Sequence, residues 1–420
     1  MSNMNPFLLK PKKVESSLRN WKQIAQKPYD KNEADPYTKV RIILMNGTEF
    51  DANWCKHQFF RHYPDNDVRR ELALLRRVEQ QQQKAIASLK PINEDVLEHT
   101  IGYEQLAVDL TAIMAQNEKN QTVKKALDFA LLEDFDHLYR FADVLESEQG
   151  IQGERLVGCY TEIMPGRPTI SEHRHPYDDV KFNISNAKAD PLTKLNAMII
   201  TGAEQQTMNY YMNVAGFHPT DTGRKLFTEI AMIEEQHVTQ YGSLIDPNAT
   251  WFESLLMHEY AECYLYYSMY EDETDERIKS LWEKFFYDEV NHLHLAVQLL
   301  RKYENKEPEQ VIPDGTFPTL LSFNSNVKNN KAYIRNVIKK TVFNTANLED
   351  YVKVCDLGKD SRFYKYNQTV NGKTESVASH KVIEDYIKEN GKDYRFEEKP
   401  HPIEQLRERT KDNTTVGREC

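Results

Sequence analysis

Between residues 94 and 300 apolar positions recur every three to four residues, which predicts six helices in three hairpins, over 94–146, 193–243 and 250–300. Ile200, Met208 and Tyr211 share one face in the middle hairpin, followed by Leu226, Ile230, Ile233 and Tyr241. Leu255, Tyr266 and Met269 mark the third hairpin, with Leu281, Phe285, Ala296 and Leu299 on its second helix. The first carries Leu97, Ile101, Val108 and Thr111, then Leu127, Ala130, Phe141 and Val144. The pattern is different outside this stretch. VRIILMNG at 40–47 reads as a short strand or buried extended segment closed by an Asn-Gly turn, within an otherwise irregular arm over 1–65. Asp67 is placed to cap a helix that Pro91 ends, with Gln80–Gln83 on its solvated side. Past residue 300 the period fades, leaving one helix at 331–342 in an irregular extension over 301–420. The domain expectation is therefore 1–65, 66–300 and 301–420, and the fold class is all-α.

The apolar stripes carry acids. Glu204, Glu234 with His237, Glu262, and Glu289 with His292 follow one another at intervals of 30, 28 and 27 residues. Glu104, Asp134 and His137 repeat the first half of this order at an offset of 100, so the hairpins form an internal repeat. An acid three residues before a histidine puts both groups on one helix face, one turn apart. A carboxylate pointing into a core is costly unless it is paired or bound to a metal. Two single carboxylates and two Glu-x-x-His pairs from four helices form the ligand set of a dinuclear site in a bundle core. Oxygen donors with few imidazoles suit iron or manganese better than zinc. Chance alone supplies roughly two acid-x-x-His pairs at this composition, whereas the chain has five, ending at His137, His175, His237, His292 and His401. Those ending at His175 and His401 lie in proline-containing irregular stretches and are set aside.

Composition narrows the setting. At 420 residues and 40% hydrophobic content the chain can bury a large core, and a net charge of −11 argues against binding nucleic acid. The apolar runs fall short of a membrane span and the first residues lack a secretory pattern. Cys55, Cys159, Cys263, Cys355 and Cys420 are isolated, so the expected location is the cytoplasm. WCKHQFFRHYP at 54–64, with His57 and His62, reads mainly as packing. SEHRHPYDD at 171–179, with His173 and His175, reads as an exposed polar loop within a long connection, 147–190.

The sequence leaves open which hairpins would share the metals. The second and third carry the complete ligand order, yet only about seven to ten residues join them, an extended reach of ~24–35 Å. The first and second are joined by the long connection that a crossover in a four-helix bundle requires.

The segment EYAECYLYYSMYEDETDERIKSLWEKFFYDEVNHLHLAVQLL, residues 259–300, resembles the second half of a rubrerythrin-type ferritin-like domain, with Glu262, Glu289 and His292 at ligand positions. The hairpin of Glu204, Glu234 and His237 is similar, and that of Glu104, Asp134 and His137 more weakly so. The resemblance covers about residues 94–300. It implies a ferritin-like antiparallel bundle, here with about six core helices, holding two iron (or manganese) ions that react with O2 or H2O2. It leaves room for a homodimer. The chain has no rubredoxin-like Cys-x-x-Cys segment, so an oxidoreductase of this kind would need an external electron donor as well as its substrate. The tyrosines Tyr211, Tyr241, Tyr264, Tyr266 and Tyr267 are candidates for hydrogen bonding or electron transfer near the ligands. His258 and His294 flank ligand positions. The rival readings are an iron-storing ferroxidase and a helical scaffold whose acids pair with Lys or Arg.

Overall fold

Ten helices order the described part of the chain: α1 Pro36–His62, α2 Asn66–Ala87, α3 Val96–Asn117, α4 Gln121–Gln149, α5 Pro191–Ala215, α6 Asp221–Leu244, α7 Trp251–Asp272, α8 Glu276–Glu304, α9 Val327–Thr341 and α10 Arg362–Asn371, beside one-turn helices. This computed structural model describes residues 4–158, 160–163, 174–341, 344–347, 350–353, 356–371 and 388. The fold is all-α, apart from one antiparallel pairing of Asn344–Asn347 with Asp350–Lys353.

The main departure from the sequence pattern is at the N-terminus, where residues 40–47 are helical. Asp35 caps α1, its side chain accepting from the Tyr37 N–H at 2.9 Å, and Pro36 opens the first turn. Val40, Ile42, Ile43, Leu44 and Met45 are all buried. An apolar run buried on all sides shows no amphipathic period, so it reads equally as a strand. The Asn-Gly pair lies inside the helix, and Gly47 has a packing reason. A Cβ there would meet Gln206 Nε2 at 2.7 Å, while Gln206 donates to the Ile43 carbonyl at 3.0 Å and accepts from Asn46. The next helix starts two residues earlier than expected, with Asp65 as cap in place of Asp67, accepting from the Asp67 and Val68 N–H groups.

Packing divides the chain into two compact units whose segments interleave along the sequence. Unit 1 comprises residues 1–94, 183–206 and 245–324; unit 2 comprises 95–182, 207–244 and 325–420. The first and last helical hairpins thus belong to one unit and the two between them largely to the other.

In unit 1, α1 with α2 and α7 with α8 form tight antiparallel hairpins. Residues at the start of α1 meet the end of α7, as Thr38 bonds Glu273, and residues at its end meet the start of α7, as Phe59 stacks on Trp251. Gln82 of α2 reaches Glu289 of α8, and Tyr63 at the start of the hairpin turn lies edge-on to Tyr303. Every neighbouring pair is antiparallel, so the four helices run up, down, down, up. Aromatic rings of Phe59, Tyr63, Phe252 and Tyr303 close one end, and Arg41 with Asp272 and Glu273 closes the other.

Unit 2 repeats this order. α3 and α4 form the first hairpin, and α4 runs antiparallel to α6, with Arg140 at Glu229, His137 at Glu234 and Gln240 at the Ala126 carbonyl. The part of α5 from Thr207 onward runs against α3, where Tyr103 and Tyr210 stack at 4.4 Å between ring centres. α9 covers the first hairpin through Tyr333 on Asp128 and Asn330 on Gln116.

Candidate metal centre

The α4–α6 face of unit 2 gathers charge into its core. Glu104 of α3, Glu133, Asp134 and His137 of α4, and Glu234 and His237 of α6 all have zero solvent exposure. Glu234 lies between the two imidazoles: one carboxylate oxygen is 3.1 Å from His137 Nδ1 and the other 3.0 Å from His237 Nδ1. His237 also lies 3.3 Å from Asp134 and 2.7 Å from Glu133. Donor atoms of Glu104, His137 and Glu234 fall within 4.8 Å of one another, as do those of Asp134, Glu234 and His237. The Tyr211 hydroxyl donates to Glu104 at 2.6 Å, which fixes that carboxylate's orientation. Arg174 places its guanidinium 3.5 Å from Glu133 and 2.7 Å from Asp179, over the Phe129 ring, while its backbone N–H donates to Gln236. Arg140 pairs with Asp136 and Glu229 at 3.0 and 3.3 Å. Glu204 is 1% exposed and lies on the unit 1 side of the division. Because α5 is continuous, Glu204 and Tyr211, seven residues apart, share one face of that helix.

Glu262, Glu289 and His292 are brought together in unit 1, whereas Glu234 and His237 belong to unit 2. Their partners come from α1 and α2, a segment that the sequence pattern left out of the site. Glu79 and Gln82 of α2 enter with the spacing of an acid-x-x-His pair, and Glu49 precedes Glu79 by 30 residues, the same interval as from Glu104 to Asp134. Gln82 donates to Glu289 at 2.5 Å, and Glu289 lies 2.8 Å from His292 Nδ1. Tyr266 donates to Glu49, as Tyr211 does to Glu104. Donor atoms of Glu79, Glu259, Glu289 and His292 fall within 4.8 Å of one another. Unit 1 also holds Lys56, 2% exposed, whose ammonium stands 2.5 Å from Glu79, 2.9 Å from Glu259 and 3.5 Å from Glu262.

Burial and mutual repulsion set the protonation of unit 1. Glu49 and Glu262 are pushed well above the usual carboxylate range by loss of water, with Glu289 and Glu79 adding to it. Burial takes Glu259 up to about 7. Burial opposes the charge of His292, yet the adjacent Glu289 outweighs it and raises the imidazole to about 9. Burial likewise opposes the charge on Lys56, but Glu259, Glu79 and Glu262 keep its ammonium well above its ordinary value.

These shifts act on stability with one sign. The proton that folding helps Glu259 retain is stabilising at low pH, and the benefit fades as pH rises from the ordinary carboxyl value through about 7. His292, raised, contributes fully below its ordinary value near 6.5 and loses that contribution as pH rises through about 9. His258 of α7, held by burial down to about 3, contributes with the opposite sign below about pH 6.5, so unit 1 is expected to lose stability from about pH 7 to pH 9. Amide exchange of α7 and α8 measured across that range checks it; protection that stays flat or grows with pH would contradict it.

The remaining sequence candidates lie partly at the edge of these centres and partly away from them. His57 is exposed beside Arg76, and His62 stacks on Trp251. His175 caps the one-turn helix 176–179 through its ring nitrogen. His173, the segment to His401, and Cys159, Cys355 and Cys420 lie outside the described residues; Cys55 and Cys263 are free thiols. Tyr264 donates to the Thr319 carbonyl, Tyr267 joins the rings of Phe286 and Phe317, and Tyr241 lies 6.3 Å from His237 between ring centres. His258 faces Asp51 at 3.9 Å, beside a small cavity lined also by Gly202 and Glu262. Among the described residues no helix is long and apolar enough to cross a membrane.

Comparison with protein-family models, curated proteins and solved structures finds no match to this chain.

Proposed function

We propose that the unit 2 centre holds two iron (or manganese) ions and that the chain is a dinuclear metal carboxylate oxidoreductase acting with O2 or H2O2. The observation that carries this reading is Glu234, a buried carboxylate whose two oxygens each face a different imidazole, on two antiparallel helices. A carboxylate in that place suits a bridge between two cations, each also served by one histidine. Glu104 supplies a further oxygen toward His137, and Asp134 and Glu133 supply oxygens toward His237. The sequence spacing adds Glu204. The up-down-down-up order with one long connection between hairpins is the arrangement of ferritin-like bundles, and supports the rubrerythrin-type resemblance.

Two reduced ions would supply electrons to the oxidant and lower the charge that the carboxylates present to one another. The protein's own groups do the remainder. Tyr211 holds Glu104 with its hydroxyl aimed at one oxygen and keeps a proton within 2.6 Å of it. Arg174 and His237 both meet the same oxygen of Glu133, and Arg174 is itself anchored on Asp179 and Gln236. Phe141 and Phe227 pack on Tyr211 and keep that side apolar. An external electron donor and a separate substrate belong to the proposal.

The test is elemental analysis of protein loaded anaerobically with Fe(II), followed by optical spectra on adding O2 or H2O2. About two ions per chain, with an oxidant-dependent absorption band, is the expected result, and His237→Ala is expected to lower the content. Folded wild-type protein that retains no metal would overturn the reading. Retention of oxidised iron well above two ions per chain would favour storage.

A further inference from the structure

The two bundles share helix order, the interval of 30 residues between the first acid and the second, and a tyrosine on the first acid. They differ at two places in the core. Where unit 2 has His137, three residues after Asp134, unit 1 has Gln82, three residues after Glu79. Seven residues after the first acid, unit 2 has Thr111 and unit 1 has Lys56.

We propose that Lys56 is the resident cation of unit 1, an ammonium in the place where a bundle of this kind holds metal, so that unit 1 is a metal-free copy and the chain's metals go to unit 2 alone. The geometry supports this directly. The Lys56 ammonium touches Glu79, Glu259 and Glu262, from α2 and α7, at 2.5 to 3.5 Å. A divalent ion would need those same oxygens at ~2.0–2.2 Å, in space that the ammonium and its three donor hydrogens fill. At a few ångströms in a water-poor interior the two cations would also repel strongly. Gln82 removes an imidazole from the donor set and spends its amide N–H₂ on Glu289, turning toward that carboxylate a donor, which a metal ligand cannot be. His292 completes the balance, its Nδ1 2.8 Å from Glu289. Two internal cations and retained carboxyl protons thus neutralise a core in which unit 2 has two histidines and two arginines around its acids. The scaffold reading, in which acids are kept as partners for a basic side chain, describes unit 1.

This inference concerns unit 1, and it stands whether or not unit 2 takes iron. Its experiment uses the full chain and two probes, Fe(II) added anaerobically and Mn(II), with metal content and thermal midpoint as readouts. Glu259→Gln and Glu289→Gln, which keep shape, are expected to leave the metal content of the chain at its wild-type value. The double variant Lys56→Ala with Gln82→His is expected to take up about one or two more ions per chain and to show a thermal midpoint that rises on Mn(II) addition. Should that variant fold poorly, Lys56→Met is read the same way, by a midpoint that rises with Mn(II) where wild type shows no such unit 1 response. Loss of metal in Glu259→Gln or Glu289→Gln would overturn the proposal, as would folded Lys56 variants that gain no metal and no Mn(II)-dependent midpoint. Wild-type protein without any metal would sink the unit 2 reading while leaving the gain in the double variant to decide this one.

Discussion

Glu234→Ala is expected to empty the unit 2 centre of both cations, a larger loss than any single histidine variant produces there. Glu234 faces both His137 and His237, so in the proposed centre each histidine would serve one cation and Glu234 would serve both. Removing one imidazole leaves the other position with its carboxylates and its own ring. Without Glu234, each position loses a donor and the charge that lets two divalent ions sit near one another. Loss of an outer partner alone costs roughly 10- to 100-fold in metal affinity, so loss of a shared ligand should exceed that at both positions. Metal-to-protein ratios of Glu234→Ala, His137→Ala and His237→Ala after equal loading check the order. A second readout follows from binding: metal should raise the thermal midpoint of the wild type, and that rise should be lost in Glu234→Ala. If Glu234→Ala kept the wild-type ratio, the carboxylate between the imidazoles would be an ordinary hydrogen-bond acceptor, and the dinuclear reading would fail.

The helical class and the middle six helices were legible because their stripes alternate apolar and polar turns, and α3 through α8 begin and end within a few residues of the expected places. The burial and convergence of Asp134, His137, Glu234 and His237 were legible for the same reason, each on an apolar stripe at a fixed interval. What stayed hidden was the partner of the third hairpin. Val40 to Met45 is buried on every side, so it carries no period, and Asn46–Gly47 mimics a turn while serving as the close approach for Gln206. With α1 misread, the interval from Glu49 to Glu79 had no helices to stand on, and Gln80–Gln83 looked like a solvated run. Gln82 in fact points inward to Glu289 with no exposure. Glutamine gives no signal of its own, since its amide suits surface and core alike. The assignment of hairpins to bundles lies a step further from sequence, because in unit 1 it depends on which faces meet across the stretch from Ala87 to Trp251, and intervals along the chain carry nothing about that.

Arg41→Ala is expected to cost unit 1 about 3 to 5 kcal/mol, the range for stripping one partner from a buried ion pair. The guanidinium has no solvent exposure and spends its donors at the far end of the bundle: on the Asp272 carboxylate at 2.8 and 3.1 Å, on the Asp272 carbonyl at 2.6 Å, and on Glu273 at 3.2 Å. Those two acids sit where α7 turns into α8. They also accept from Thr38, from Trp282 and from the backbone of Phe323. Arg41 therefore ties α1 to the α7–α8 turn, and alanine would leave two buried carboxylates with neutral donors only. Arg41→Lys should recover part of the loss, because it restores charge without the planar fork that meets side chain and carbonyl together. Urea unfolding followed by tryptophan emission measures this well, since Trp282 is fully buried against Glu273 while Trp21 and Trp54 are exposed. A loss below about 1 kcal/mol, the level of an exposed pair, would mean that the neutral donors around Asp272 and Glu273 hold this end without help. In that case the charge at the rim of unit 1, unlike the Lys56 charge in its centre, would be dispensable to the bundle.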